Sequence, residues 1–353
     1  MTDGDYAPPP EAAGGWRWQP GADSGGLLPA VERRRQDALW NGYPWGLVVI
    51  HQGWLVAERY SFNVGPSTRF DVWSATKSVT ALAWGILLEH EGRDAGVGLD
   101  TPVYDLLAGI APAGGADSRR RAITIGQVLS MTSGIPGERH GVFGVAVGTG
   151  AGAFEFAFGQ SANRAGAMTE PLAFDPGTDW DYSDPGYCHL SPALSALAGS
   201  SLADYVQHLL FDPVGIDRPG WDDQGGRGHL GPFTNAHSGL HLSARELARV
   251  GYLALRAGRW GRRQVVPTRW LELVRRPSQA FNPAYGLGWW TNRADAYVPG
   301  LPSDLFAMAG FAGNRCWVLP SHDLVVARVG AGPAGWDDRE LLPAVLRGLT
   351  LPG

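Results

Sequence analysis

The chain has 353 residues, 44% of them apolar and 18% charged, with a formal net charge of −5. That length implies one large composite domain or two lobes, and the ordinary polarity excludes a disordered or fibrous chain. No broad basic field is present, which excludes nucleic acid as the expected partner; the arginine triplets at 33–35 and 119–121 read as solvated faces or loops.

Residues 1–25, rich in Pro, Gly and Ala, read as a flexible lead-in. They show no basic stretch followed by an apolar one, and the longest apolar runs, such as Val79 to Leu88, fall short of the ~20 residues of a membrane span. The expectation is a cytoplasmic protein without membrane contact. Leu28 to Trp40 predicts a helix. Gly46 to Ile50 and Trp54 to Tyr60, on either side of His-Gln-Gly, predict a β-hairpin. From Ser74 to Glu91 the apolar residues Val79, Leu82, Ala83, Ile86 and Leu87 recur at helical spacing, with Gly92 as the stop. Thr124 with Gln127, and Ser243 with Glu246, are spaced as capping boxes at the starts of two further helices. Residues 135–172 show no firm period and read as a long irregular insertion; its Gly148-Thr-Gly-Ala-Gly lacks the Lys-Ser/Thr of a phosphate loop. Leu305 to Gly310, Asn314 to Leu319 and Leu324 to Val329 predict strands, and Glu340 to Leu349 a closing helix. Strands near both ends with helices between predict an α/β (α+β) fold: one antiparallel sheet flanked by helices, with a helical lobe inserted. The expected division is 26–80 with 285–353 for the sheet lobe, and 81–284 for the helical lobe.

Cys188 and Cys316 are too few for a disulfide framework and are expected as reduced, buried thiols. Lys77 is the only lysine among 29 basic residues. It closes a Ser-x-x-Lys at a helix start, and residues three apart share a helical face, so its amine can reach the Ser74 hydroxyl. The partial positive charge of the helix N-terminus favours an anionic serine. A guanidinium cannot usefully lose a proton, whereas an ammonium can, which gives a reason for lysine at this one position. The pairing is that of a serine activated by a neighbouring base for acyl-enzyme chemistry. The alternative is Ser74 as a helix cap and Lys77 as a surface residue.

Five stretches, in order, carry a resemblance: Phe70-Asp-Val-Trp-Ser-Ala-Thr-Lys-Ser, Ile125 to Gly134, Asp179-Trp-Asp-Tyr-Ser-Asp-Pro-Gly-Tyr187, Ser238 to Arg249 followed by Tyr285-Gly-Leu-Gly-Trp-Trp290, and Ala309-Gly-Phe-Ala-Gly-Asn314. From about residue 30 onward the chain resembles the serine β-lactamase and penicillin-binding-protein superfamily. The likeness is to the class C-like branch of esterases, D-amino-acid amidases, acyltransferases and 6-aminohexanoate-dimer hydrolases. The resemblance implies the β-lactamase/transpeptidase-like fold, with Ser74 as nucleophile and Lys77 holding or accepting its proton. It implies Tyr182 as a second base kept partly phenolate, and an oxyanion hole from the backbone N–H groups of Ser74 and Asn314. No metal or organic cofactor is implied.

The sequence departs from the family in two places. Asp184 stands where Asn is usual, in a position that also reads as a helix N-cap before Pro185; it is given a mixed structural and orienting role. Phe311 stands where the family carries Lys or His, so no cation is offered there to the carboxylate of a β-lactam, and poor turnover of penicillins and cephalosporins is expected. Gly313, beside Asn314, and Trp289 and Trp290 are placed along the cleft as substrate-lining residues. His237 and His241 have a metal-like spacing of four but read better as loop contacts. The reading is a serine hydrolase of a small-molecule ester or amide. An acyltransferase, a β-lactamase and an inactive binding protein on the same fold are the alternatives.

Overall fold

Strands from the two ends of the chain meet in one sheet. The computed structural model describes residues 6–19, 43–61, 63–108, 117–142, 152–158, 171–224, 231–331 and 338–350. Strands β1 (Trp45–His51) and β2 (Trp54–Tyr60) form the expected hairpin through Gln52-Gly53. Strands β3 (Trp290–Thr291), β4 (Phe306–Gly310), β5 (Asn314–Leu319) and β6 (Leu324–Gly330) complete an antiparallel sheet of order β2-β1-β6-β5-β4-β3. The register joins Trp45 to Gly330 and His51 to Leu324.

Strand β1 is buried on both faces, so its side chains feed two cores in alternation. Val48 and Ile50 join the core beneath the helix Ala244–Leu255, while Leu47 and Val49 join the core beneath the closing helix Asp338–Thr350 through Leu342 and Val345. The Ala244–Leu255 helix opens with the expected capping box of Ser243 and Glu246. It lies on the sheet so closely that a Cβ at Gly251 would stand 2.4 Å from Cys316 Sγ and 2.8 Å from Val325. This amends the expected division: Ala244–Leu255 belongs to the sheet lobe, because its apolar stripe covers β1, β5 and β6.

Helix α1 (Thr76–Glu89) is the axis of the molecule. Every residue from Thr76 to Leu87 is buried, which is why its apolar residues show no single stripe. Each fully buried Leu or Val there contributes about 1.5–3 kcal/mol. Helix α1 ends at His90. Gly92 is not its stop but sits inside a further short helix, Glu91–Ala95, that closes at left-handed Gly96. The second capping box, Thr124 with Gln127, starts the short helix Ile125–Leu129 as expected.

Three sequence expectations change. Residues 6–19 of the expected flexible lead-in are packed: Trp16 is buried, Arg17 Nε donates to the Gly53 carbonyl at 3.0 Å, and Arg249 donates to the carbonyls of Pro8 and Pro9. Arg120, expected on a solvated face, is fully buried and donates to the Tyr104 hydroxyl at 3.3 Å, while Arg119 pairs with Asp117. The insertion 135–172 contains ordered pieces, a turn at Glu138–His140 and a short helix at Ala153–Ala157. The Leu28–Trp40 helix, the 33–35 triplet and residues 148–151 lie outside the described residues. Both cysteines are buried and unbridged, as expected. Among the described residues no helix is long and apolar enough to cross a membrane.

Candidate active site

The chain enters α1 through a two-residue ribbon, Phe70–Asp71 paired with His241–Leu242. Asp71 Oδ1 accepts the N–H groups of Trp73 (2.7 Å) and Gly239 (3.1 Å), which fixes the turn. Trp73 is held at φ +50°, a left-handed conformation that costs a tryptophan about 1–2 kcal/mol. A tight turn, Trp73–Ala75, then delivers Ser74 just before the first residue of α1. Ser74 is not a cap: residue 75 holds that place, with no side-chain bond. Lys77 follows one turn later and is 1% exposed.

Three oxygens surround the Lys77 amine. Nζ lies 2.9 Å from Ser74 Oγ, 3.0 Å from the His237 carbonyl and 2.6 Å from Asp184 Oδ1. The Tyr182 ring centroid is 4.8 Å away. Tyr182 stacks on Trp290 at 6.2 Å, with Tyr285 edge-on at 6.1 Å. Burial, and then the Asp184 carboxylate, push Tyr182 well above the ordinary phenol range, against the lowering effect of Ser74. That direction favours the phenol over the partial phenolate that the resemblance implied.

Asp184 is not the N-cap. Ser183 caps the short helix Asp184–Tyr187, its Oγ accepting Gly186 N–H at 3.0 Å, and Asp184 is the first helical residue. The carboxylate is thereby free to face Lys77. Burial alone would raise its pKa; Lys77 and then His237 more than offset that and hold it below the usual range. His237 Nδ1 stands 3.8 Å from Asp184 Oδ2. Burial lowers this imidazole to about 4, so it is neutral near pH 7. His241 turns away to Asp222 at 3.5 Å, so the pair does not converge. Among the described residues no group of three or more His, Cys, Asp or Glu could hold a metal ion.

A cavity of about 290 Å³ opens over Ser74, lined by Glu138, Arg139, Trp180, Asp181, Tyr182, Trp290, Ala309, Gly310, Phe311 and Arg315. Of the expected lining residues, Trp290 and Phe311 are here. Phe311 is 72% exposed and meets Trp73 edge-to-face at 5.5 Å, forming an aromatic rim beside Ser74. Trp289 is a core residue, buried, with Nε1 donating to the Ser78 carbonyl. Asn314 does not fit the oxyanion role. Phe311, Ala312 and Gly313 form the loop of the β4–β5 hairpin, and Asn314 N–H already closes that loop onto the Phe311 carbonyl. Its side chain is also committed, donating to the Phe311 carbonyl at 2.7 Å and accepting from Gly330 N–H at 2.9 Å. Gly313 is buried in the same loop and does not line the cavity. Gly310 is the close neighbour instead: a Cβ there would stand 2.0 Å from the Val72 carbonyl oxygen and 3.2 Å from Ala75 N.

Sequence reasoning missed Glu138, Arg139, Asp181 and Arg315. Asp181 is the organiser. Fully buried, it accepts Gly137 N–H (2.7 Å), Arg139 N–H (2.9 Å) and His140 Nδ1 (2.7 Å), clamping the 137–140 turn beside Tyr182. Glu138, on that turn, donates its N–H to the Tyr182 carbonyl. Burial, then Asp184, raise its carboxyl. A signal was present: Asp181 stands inside the quoted Tyr182 box, and Glu138 follows the quoted Ile125–Gly134 stretch by four residues. Arg315 donates to the carbonyls of Gly310 and Asn314.

This arrangement has parallels. The chain is similar to a penicillin-binding protein homologue from Caulobacter crescentus, at a TM-score of 0.70 and 18% identity, over 94% of this chain and 97% of that one. It is also similar to EstCE1, a hydrolase with promiscuous acyltransferase activity, at a TM-score of 0.68 and 16% identity, over 93% and 99% of the two chains. At such identities the likeness speaks for the fold. In sequence it is 28% identical over 166 residues to the unguisins hydrolase ungD of Aspergillus violaceofuscus, covering 47% of this chain and 28% of that protein. The chain spans 53%, 28% and 37% of the lengths of three curated relatives it matches. The family pattern described as Beta-lactamase matches residues 45–349, nearly the whole chain, with Ser74 and Lys77 inside it; the protein belongs to the Beta-lactamase family.

Proposed function

We propose that this protein is a serine hydrolase of an ester or amide other than a β-lactam, working through an acyl-enzyme. The observation that carries the reading is the only lysine of the chain, buried 2.9 Å from the hydroxyl of a serine at a helix N-terminus. Ser74 attacks the substrate carbonyl, and its proton passes to the Lys77 side of the site. The Tyr182 phenol, which lines the same cavity as Ser74, is the proton donor to the leaving group. Backbone N–H groups of Ser74 and of the Ala309–Phe311 stretch, in place of Asn314, stabilise the oxyanion. Water then releases the acyl group.

The cavity wall supports a non-β-lactam substrate. Phe311 offers no cation, and the one guanidinium on the β5 side, Arg315, is bonded to two backbone carbonyls. The aromatic wall of Trp180, Tyr182, Trp290 and Phe311 favours an apolar acyl group. The same wall gives a second reading, acyl transfer, in which an alcohol or amine replaces water.

Intact-mass spectrometry after brief exposure to a p-nitrophenyl ester, and separately to a fluorophosphonate, tests the proposal. A single adduct that is lost in Ser74→Ala is expected. No adduct on the native protein, or one that survives the substitution, would sink it and leave a binding protein on this fold. A competing alcohol in the ester reaction separates hydrolysis from transfer by its product.

A further inference from the structure

Three oxygens enclose the Lys77 amine, and this bears on where the Ser74 proton goes. An ammonium has three hydrogens. Three oxygens stand within 3.0 Å of Nζ: Ser74 Oγ, the His237 carbonyl and Asp184 Oδ1. As an ammonium it donates to Ser74 and the His237 carbonyl and pairs by charge with Asp184, and it has no lone pair for a fourth proton. One hydrogen must leave before that of Ser74 can arrive. Ser74 is itself the proton source, and a peptide carbonyl does not hold a proton near neutral pH. Asp184 is the remaining neighbour, and its contact is the shortest.

Resting on the nucleophile reading above, we propose that Asp184 is the proton acceptor of the acylation step, taking a proton from Lys77 so that Lys77 can take one from Ser74. The Nζ–H bond towards Asp184 breaks and an O–H bond forms on the carboxylate. The free amine then removes the Ser74 hydroxyl proton as Oγ bonds to the substrate carbonyl carbon, whose π pair moves to oxygen. On collapse the bond to the leaving group breaks. The leaving group takes the Tyr182 hydroxyl proton, and the proton stored on Asp184 returns through Lys77 to Tyr182. Charges and atoms balance, and no outside acid or base is used.

The buried setting makes the first transfer feasible. Burial penalises the Asp184 charge; the Lys77 charge is chiefly what holds the carboxyl low. Moving the proton from Lys77 to Asp184 removes the charge that made the carboxylate a poor base. A substrate that seals the cavity strengthens the penalty on both charges and favours the neutral pair.

The test is the pre-steady-state acylation rate with a p-nitrophenyl ester as a function of pH, for the native protein, Asp184→Asn and Asp184→Glu. The groups facing Asp184 are Lys77, Glu138, Tyr182, Cys188, His237 and Tyr285. His237 has already lost its proton above about pH 4, and burial keeps Tyr182, Cys188 and Tyr285 protonated well above their usual ranges. In Asp184→Asn acylation is expected to fall about 10²–10³-fold at neutral pH. Its residual rate should rise with pH, because the Lys77 proton must then leave to solvent rather than to Asp184. Asp184→Glu should recover part of the rate with the native profile. An unchanged rate and profile in Asp184→Asn would overturn the proposal, as would a uniform loss at every pH, which marks mere positioning. Circular dichroism of each variant separates misfolding from chemistry. Failure of the fluorophosphonate to label native Ser74 would instead sink the hydrolase reading itself.

Discussion

Two buried cations in this molecule have opposite surroundings. Arg249, fully buried, donates to the carbonyls of Pro8, Pro9 and Val214 and to Glu11 Oε1 at 2.8 Å. Lys77 meets one carbonyl, one carboxylate and one hydroxyl. The guanidinium spends its fork of donors on backbone oxygens that would otherwise be orphaned, and it is permanently charged. The ammonium faces two groups that exchange protons. Arg120 and Arg328 are likewise buried structural cations, whereas the one lysine of the chain stands beside a serine hydroxyl and a carboxylate.

Exchanging the two roles breaks the comparison most sharply. Lys77→Arg should abolish acylation, with a loss of at least about 10³-fold in the p-nitrophenyl ester burst, since a guanidinium cannot serve as base. Retention of measurable turnover would show that charge alone suffices there. The converse, Arg249→Lys, should leave the burst amplitude intact but lower stability by about 1–3 kcal/mol, because three donors on a single nitrogen cannot reach every oxygen of the set. Thermal unfolding checks it. Unchanged Tm would mean that residues 6–19 do not depend on this cation.

Glu138→Gln is the smallest and finest probe. The folded-state pKa of Glu138 is raised by burial and by Asp184, so its charge costs stability above the unfolded pKa. The substitution should therefore raise Tm slightly at neutral pH. The gain should fade as pH falls through the raised pKa, where native Glu138 is protonated as well. A gain that persists in acid would point to packing rather than charge.

The parts of the fold that follow from neighbours in sequence were legible. Two capping boxes, the hairpin and Ser74 with Lys77 each depend on spacings of two to four residues, and each is found in place. The differences have two sources, close neighbours competing for the same N–H group and segments brought together from far apart in the chain. Asn314 was assigned an N–H for the oxyanion, but the loop Phe311–Gly313 bends back and takes it. Asp184 was read as a cap, but Ser183, one residue earlier, has the better geometry for Gly186 N–H. Glu138 reaches the cavity only because Asp181, over forty positions away, gathers the 137–140 turn. No local period encodes such a contact.

The pairing of β1 with β6 has a consequence for biosynthesis. Trp45 and Gly330 are partners in the register, so the first hairpin cannot find its place until the last strand has been made. Contacts this distant make folding slow and leave the early chain exposed on the ribosome. Gly310, which closes on the turn carrying Ser74, also arrives late. Ser74 is thus translated long before the strand against which its turn packs.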